Sequence, residues 1–231
     1  MSSKMKRKIL ITGSAGFIGF HLCKEMLELG FEVIGIDALT DYYDVNLKRS
    51  RLNILKKFPG YSDVCGSIED EDVCHKLSED FEFDTIIHLA AQAGVRYSID
   101  YPKLYLQTNI VGTFNILELA RTKKVRHLLC ASTSSVYGSN TAMPFTELQK
   151  CDTQMSFYAA TKKSNEVMAH SYSHIYGIPI TMFRFFTVYG PWGRPDMALF
   201  KFTKAMLDGQ PIDIYNHGVM KRDFTYIDDL V

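Results

Sequence analysis

A short apolar run, Lys8-Ile-Leu-Ile-Thr12, leads into three glycines spaced three apart, Gly13, Gly16 and Gly19, which open an apolar-periodic stretch through Leu29. Strand, G-x-x-G-x-x-G and helix in that order constrain the fold more than anything else in the chain. Only small residues let the backbone turn sharply at the strand end and approach a pyrophosphate, which the helix N-terminus then meets with amide donors and partial positive charge. A second strand pattern, Glu32-Val-Ile-Gly-Ile36, ends at Asp37. An acid about 20 residues beyond the glycines grips a ribose diol and repels a 2′-phosphate, so NAD is favoured over NADP.

Strand and helix patterns alternate along the rest of the chain. Strands are expected near 8–12, 31–36, 62–66, 84–89, 127–132 and 179–185, and helices near 17–29, 69–79, 102–122, 156–175 and 197–207. Such alternation implies an α/β fold, a Rossmann-type doubly wound parallel sheet with helices on both faces. Residues 1–185 are expected to form the NAD-binding domain and 186–231 a small, partial substrate domain.

Tyr158 and Lys162 stand four apart in Ser156-Phe-Tyr-Ala-Ala-Thr-Lys162, within one of these helices, and so share a face. An ammonium beneath a phenol favours the phenolate and is expected to bring the tyrosine into range as a general acid/base. Tyr-x-x-x-Lys alone is a weak signal; behind a dinucleotide loop it is a strong one.

With these elements the chain resembles the extended short-chain dehydrogenase/reductase family, in its sugar-nucleotide epimerase and dehydratase group. The resemblance continues through Ala131-Ser-Thr-Ser-Ser-Val-Tyr-Gly138, and it implies Thr133 as the third catalytic residue, bonding the sugar oxygen that Tyr158 deprotonates. Asp41-Tyr-Tyr-Asp-Val-Asn-Leu-Lys-Arg49, Ala93-Gly-Val-Arg-Tyr-Ser98 and Arg184-Phe-Phe-Thr-Val-Tyr-Gly-Pro-Trp-Gly-Arg-Pro-Asp-Met197 are similar to segments of UDP-glucuronate 4-epimerases. The 4,6-dehydratases of the group carry Asp-Glu after the catalytic Thr, and its decarboxylases tend to carry an acid there; this chain has Ser134 and Ser135. The implied activity is therefore reversible C4 epimerisation of UDP-glucuronate to UDP-galacturonate through a 4-keto intermediate, with tightly bound NAD. Two alternatives stay open: a 4-epimerase of a neutral UDP-hexose or UDP-N-acetylhexosamine, and an NAD-binding chain without turnover.

The resemblance also implies contacts. For the cofactor these are the loop amides of Phe17 and Ile18, then Ser67, Ile68, Leu89, Ala90, Ala91, Asn109 and Phe186, beside the glycines, Asp37, Tyr158 and Lys162. For the UDP-sugar, Arg194 is expected to clamp the uronate carboxylate in a two-pronged grip, with Thr187 and Ser135 as hydroxyl donors and Ser134 beside them. Arg96 and Arg222 are expected to address the diphosphate. Two departures stand at the adenosine end. Ser67 replaces an acid that meets the adenine amino group, and Ala38 replaces an Asn after the ribose-binding acid, so weaker NAD binding is expected. His88 reads as a packed strand residue.

The chain ends at Val231, just past a helix-like Tyr226-Ile-Asp-Asp-Leu230, where chains of this type continue; a truncated chain or a genuinely short paralogue is the expectation, with nucleotide-sugar affinity in doubt more than NAD binding. Lysine plus arginine equals aspartate plus glutamate at 26 each, which argues against a general nucleic-acid or membrane-surface binder. The five cysteines include no C-x-x-C pair and read as reduced, buried thiols. After the basic Met1 to Lys8 the apolar run is too short for a signal peptide, and no stretch reaches the length of a membrane span, so a cytoplasmic enzyme without a metal is expected. A homodimer through a helix bundle is also expected, with Ile110, Phe114, Leu117 and Arg121 on its face.

Overall fold

A computed structural model describes residues 7–219 and 221–231. Strand β1 (Lys8–Thr12), helix α1 (Phe17–Glu28), β2 (Glu32–Asp37), α2 (Val45–Leu55), β3 (Tyr61–Cys65), α3 (Glu71–Asp80) and β4 (Thr85–His88) come first. Short helices α4 (Tyr97–Asp100) and α5 (Pro102–Tyr105) lead through a π-helical turn, Leu106–Val111, into α6 (Gly112–Thr122) and β5 (His127–Thr133). A 3-10 turn at Ser134–Tyr137 precedes α7 (Phe157–Tyr176) and β6 (Ile180–Phe185). The chain continues with β7 (Thr187–Tyr189), α8 (Ala198–Leu207), β8 (Phe224–Tyr226) and α9 (Ile227–Leu230).

Six strands form one parallel sheet in the order β3-β2-β1-β4-β5-β6, with Ile9 beside Val33 on one side and Thr85 on the other. The reversal of strand order at β1 and β4 opens a crevice at their carboxyl ends, where open α/β sheets bind ligands. The central strands are apolar on both faces because helices cover both. Alternation along β1 sends Ile9 and Ile11 toward α1 and α2, packed with Phe20, Cys23, Leu52 and Leu55. Leu10 faces the other way and joins Ile34, Ile86, Ile116, Leu117 and Leu128.

Strand positions agree with the sequence reading to within a residue or two. Three features depart from it. The segment expected as one helix over 102–122 is broken by the π turn, which carries Thr108 and Asn109. Helix α2, which is not among the expected helices, starts inside the Asp41–Arg49 segment and runs to Leu55; Asp44 caps it by accepting from the Asn46 amide at 2.8 Å. Leu117, expected on a dimer face, is fully buried in the core. Helix α7 is bounded as its sequence dictates: the Ser156 hydroxyl accepts from the Ala159 amide at 3.1 Å, and Gly177 takes the left-handed conformation after the last turn.

The residues after β6 leave the main sheet. Strands β7 and β8 pair parallel to each other, Thr187 opposite Phe224, and Val188 and Ile227 bury against Phe17 of α1. This small unit therefore rests on the helix that begins at the glycine loop. Among the described residues no helix is long and apolar enough to cross a membrane. The expected basic N-terminal segment lies, up to residue 6, outside the described residues.

Candidate active site

The glycine loop is built by contacts that exclude side chains. Gly13 takes φ +73° and lies against the end of β4, where an added Cβ would stand 2.9 Å from the Ala90 nitrogen. A Cβ on Gly19 would stand 2.0 Å from the Gly13 carbonyl oxygen. Asp37, at the end of β2, accepts from the Ala15 amide at 3.0 Å and the Leu39 amide at 2.8 Å, which aims its carboxylate across the loop.

The end of β4 is fixed by a buried histidine. The Thr12 hydroxyl accepts from the amides of Leu89 (3.1 Å) and Ala90 (3.0 Å), so its own proton goes to His88 Nδ1 at 2.8 Å. The Nε2–H of His88 then donates to Thr113 at 3.1 Å. Burial, with the positive Lys162 nearby, pushes His88 down to about 3 and keeps it neutral. It is a packed strand residue, as the sequence suggested, and it also orients the wall of the cleft.

One continuous cleft runs from the glycine loop to α7. It is lined by Gly13, Gly16, Phe17, Ile18 and Gly19, by Asp37, Ser67 and Ile68, by Leu89, Ala90 and Ala91, and by Thr133, Tyr158, Lys162, Phe186 and Arg194. Sequence reasoning missed Lys48 and Glu69 among its walls. Lys48 donates to the Thr40 carbonyl at 2.6 Å and hydroxyl at 3.0 Å, with its ammonium 4.7 Å from the centre of the Tyr43 ring. Glu69 stands at the β3 end of the cleft; one oxygen accepts weakly from Thr108 at 3.5 Å, while Oε2 is buried without a partner among the described residues.

At the α7 end, burial raises the Tyr158 phenol above its ordinary value, while a hydrogen bond with Thr133 and the charge of Arg194 pull it back. This corrects the expectation of a phenol lowered by Lys162: desolvation dominates. Lys162 is itself buried and lowered to about 8, with Glu166 among the groups resisting the fall. Glu166 accepts from Ser132 at 2.7 Å and is paired with Arg184 at 2.9 Å, which anchors the strand carrying Thr133 to α7.

Other expected site residues lie elsewhere. Asn109 is fully buried behind the wall, accepting from the Gln92 amide at 2.8 Å and donating to the Gln92 carbonyl and to Thr161. It braces the cleft and does not line it. Ser134 and Ser135 start the 3-10 turn beyond Thr133, with the Ser135 amide bonded to the Thr133 hydroxyl, and Thr187 lies in β7; none of the three is part of the lining. Arg96, just before α4, and Arg222, whose guanidinium bonds the Lys221 carbonyl, are exposed outside the cleft. Arg194 does line the cleft, but Asp196 already holds its Nε at 3.0 Å and its Nη2 at 2.5 Å, and Tyr42 donates to the same carboxylate at 3.2 Å. The two-pronged grip expected for a substrate is made within the chain.

A family model described as the NAD dependent epimerase/dehydratase family matches residues 9–231. A probable UDP-glucuronate 4-epimerase of Rhizobium meliloti (strain 1021) is 57% identical over 224 residues, which are 97% of this chain and 66% of that protein. UDP-glucuronate 4-epimerase 4 of Arabidopsis thaliana is 50% identical over 96% of this chain, which spans about half of that protein (52%). The crystal structure of UDP-glucuronic acid 4-epimerase from Bacillus cereus in complex with UDP-glucuronic acid and NAD superposes with a TM-score of 0.89 at 38% identity, over 96% of this chain and 70% of that one.

Proposed function

Since the chain belongs to the NAD-dependent epimerase/dehydratase family, we propose that it interconverts UDP-glucuronate and UDP-galacturonate at C4 through a 4-keto intermediate. The observation that carries this reading is the single cleft with the glycine loop and Asp37 at one end and Thr133, Tyr158 and Lys162 at the other. The excluded Cβ positions at Gly13 and Gly19 and the aimed Asp37 carboxylate fit a dinucleotide. Bound NAD would supply the hydride acceptor and donor.

The chain's own residues handle the proton and the sugar. Tyr158 takes the proton of the 4-hydroxyl and returns it after the keto sugar has turned over. Thr133, which lines the cleft with Tyr158, would hold the same oxygen in line. Lys162 lies below its pKa of about 8 at neutral pH and so carries the positive charge that favours the phenolate as the proton moves. Ser134 and Ser135, where the dehydratases place an acid pair, leave elimination without a proton donor and acceptor. A 4-keto uronate is a β-keto acid and loses carbon dioxide if its carboxylate swings into alignment. Arg194 lines the cleft and its Nη1 takes no part in the Asp196 pair, which supports it as the group that would restrain the carboxylate.

The adenosine end extends the proposal. The cleft leads from the glycine loop past Asp37 to the residues just after β3, where Glu69 offers an unpartnered buried oxygen. It is suited to accept from the adenine amino group in place of the acid absent at Ser67. The pairing of Arg194 with Asp196 favours a second reading, a neutral UDP-hexose, because it leaves less of the guanidinium for a carboxylate. The five cysteines are free and four are buried, in keeping with a cytosolic enzyme. Exposed Leu104, Leu106 and Phe114 beside exposed Val167 and Ile175 offer an apolar face for a second copy, which sedimentation velocity reads directly.

Proton NMR of UDP-glucuronate with the chain and NAD tests the activity. A galacto-configured anomeric signal, lost in Tyr158→Phe while NAD stays bound, is the expected result. A pentose product means decarboxylation and overturns the reading of Ser134 and Ser135. Turnover of UDP-glucose but not UDP-glucuronate selects the second reading.

A further inference from the structure

Arg51 is fully buried in α2, and among the described residues no carboxylate pairs with it. Its two Nη groups are spent on neutral oxygens from three places, while its Nε is buried without a partner among the described residues. Nη1 donates to the Ala15 carbonyl of the glycine loop and to the Tyr43 hydroxyl, both at 2.8 Å. Nη2 donates to the Trp192 carbonyl at 2.5 Å and weakly to that of Gly193 at 3.5 Å. One guanidinium thus joins the loop under the expected diphosphate to a turn 141 positions beyond Arg51 itself.

That turn is held in a demanding shape. Gly190 takes φ +147° and Trp192, a bulky residue, takes φ +59°. Such a backbone persists only where its surroundings over-determine it. The Trp192 carbonyl is tied by Arg51, the Pro191 carbonyl meets His21 of α1 at 2.9 Å, and the Trp192 ring packs on Phe20. Arg194 follows two residues later and enters the cleft.

We propose that Arg51 is a positioning residue that locks the Gly190–Gly193 turn, and with it Arg194, to the glycine loop, so that filling the dinucleotide site sets the substrate-facing arginine. A buried cation without a counter-charge gains when a diphosphate settles over the loop it holds, and its planar fork transmits that gain to both carbonyl ends. A lysine cannot reproduce this: it keeps the charge but not the fork. The inference rests on the NAD site proposed above and not on the identity of the sugar.

The chain's one tryptophan is Trp192 itself, 39% exposed and outside the cleft lining, so its acrylamide quenching reports the turn without contact to a ligand. The expected result on charcoal-treated protein titrated with NAD is a fall in Trp192 quenching in the wild type. In Arg51→Lys that fall is lost, while calorimetry still registers NAD binding. Calorimetry keeps failure of the cofactor site separate from failure of the tie. Unprotected Trp192 in the NAD-bound wild type, or equal protection in Arg51→Lys, overturns the proposal. Should Arg51→Lys not fold, Tyr43→Phe removes one acceptor of the fork and leaves the core filled: reduced protection supports the tie, and unchanged protection overturns it.

Discussion

Replacing Lys162 with methionine is expected to stabilise the nucleotide-free protein while destroying its activity. Lys162 is 2% exposed, and burial lowers it from 10.5 to about 8. That fall corresponds to about 3 kcal/mol of disfavour for the charged form in the fold. At pH 7, below both values, the side chain is protonated folded and unfolded, and the whole cost is present. Between about pH 8 and 10.5 the folded protein gives up the proton while the unfolded chain keeps it, so wild-type stability rises with pH through this window. Above it both states are neutral and the cost is gone. Methionine fills nearly the same volume with a flexible apolar chain and carries no charge at any pH. For a chain of this size about 3 kcal/mol moves the melting temperature by roughly 6–12 °C. Calorimetry of Lys162→Met at pH 7 should therefore show a higher melting temperature than the wild type, with the gap closing toward pH 10.5, and a turnover lowered by about 10²–10⁴. A variant that melts at or below the wild type at pH 7, or a gap that does not narrow with pH, refutes the argument that Lys162 is held at the site against its own solvation.

Gly19→Ala is expected to abolish NAD binding, because its Cβ would lie 2.0 Å from the Gly13 carbonyl oxygen; unchanged affinity by calorimetry would mean that the loop is not the diphosphate site. Glu69→Ala should weaken NAD about tenfold, the value of a charge-assisted hydrogen bond, yet leave the hypoxanthine analogue of NAD, which lacks the amino group, unaffected. Equal losses for both dinucleotides would remove Glu69 from the adenine site. Asp196→Asn frees part of the Arg194 fork and should lower KM for UDP-glucuronate but not for UDP-glucose; a rise for both would show that the internal pair is needed to shape the cleft.

What the sequence disclosed was local. The glycine spacing, Asp37 and the four-residue step from Tyr158 to Lys162 each express a geometry set by a single turn or helix face, and the fold reproduces all of them in one cleft. The same is true of the strand pattern, since short apolar runs alternating with helical stretches point to a parallel sheet covered on both faces. The misreadings share a different property. The expectation for the Tyr158 phenol considered its nearest cation and not its burial, a quantity that belongs to the assembled fold. The partners through which Asn109 braces the active-site end, Gln92 and Thr161, stand 17 and 52 positions away and were not legible in the sequence.

Arg51, Arg194 and Asp196 carry this furthest. In the sequence Arg194 and Asp196 are two residues apart, and nothing local distinguishes an arginine waiting for a substrate from one already gripped by its neighbour. The decision is made by Tyr42, which donates to Asp196 from the other end of the chain, and whose ring lies 5.7 Å from the Arg194 guanidinium. Tyr43, the next residue, holds Arg51, which in turn holds the turn that presents Arg194. The segment quoted from Asp41 to Arg49 for its resemblance thus has a physical reason for its text. Tyr42 bonds Asp196 in the loop that carries Arg194, Tyr43 reaches that loop only through Arg51 and the Trp192 carbonyl, and Lys48 lines the cleft. The glycine loop and the arginine-bearing loop are linked in this fold because the Tyr42–Tyr43 segment and α2 after it reach both.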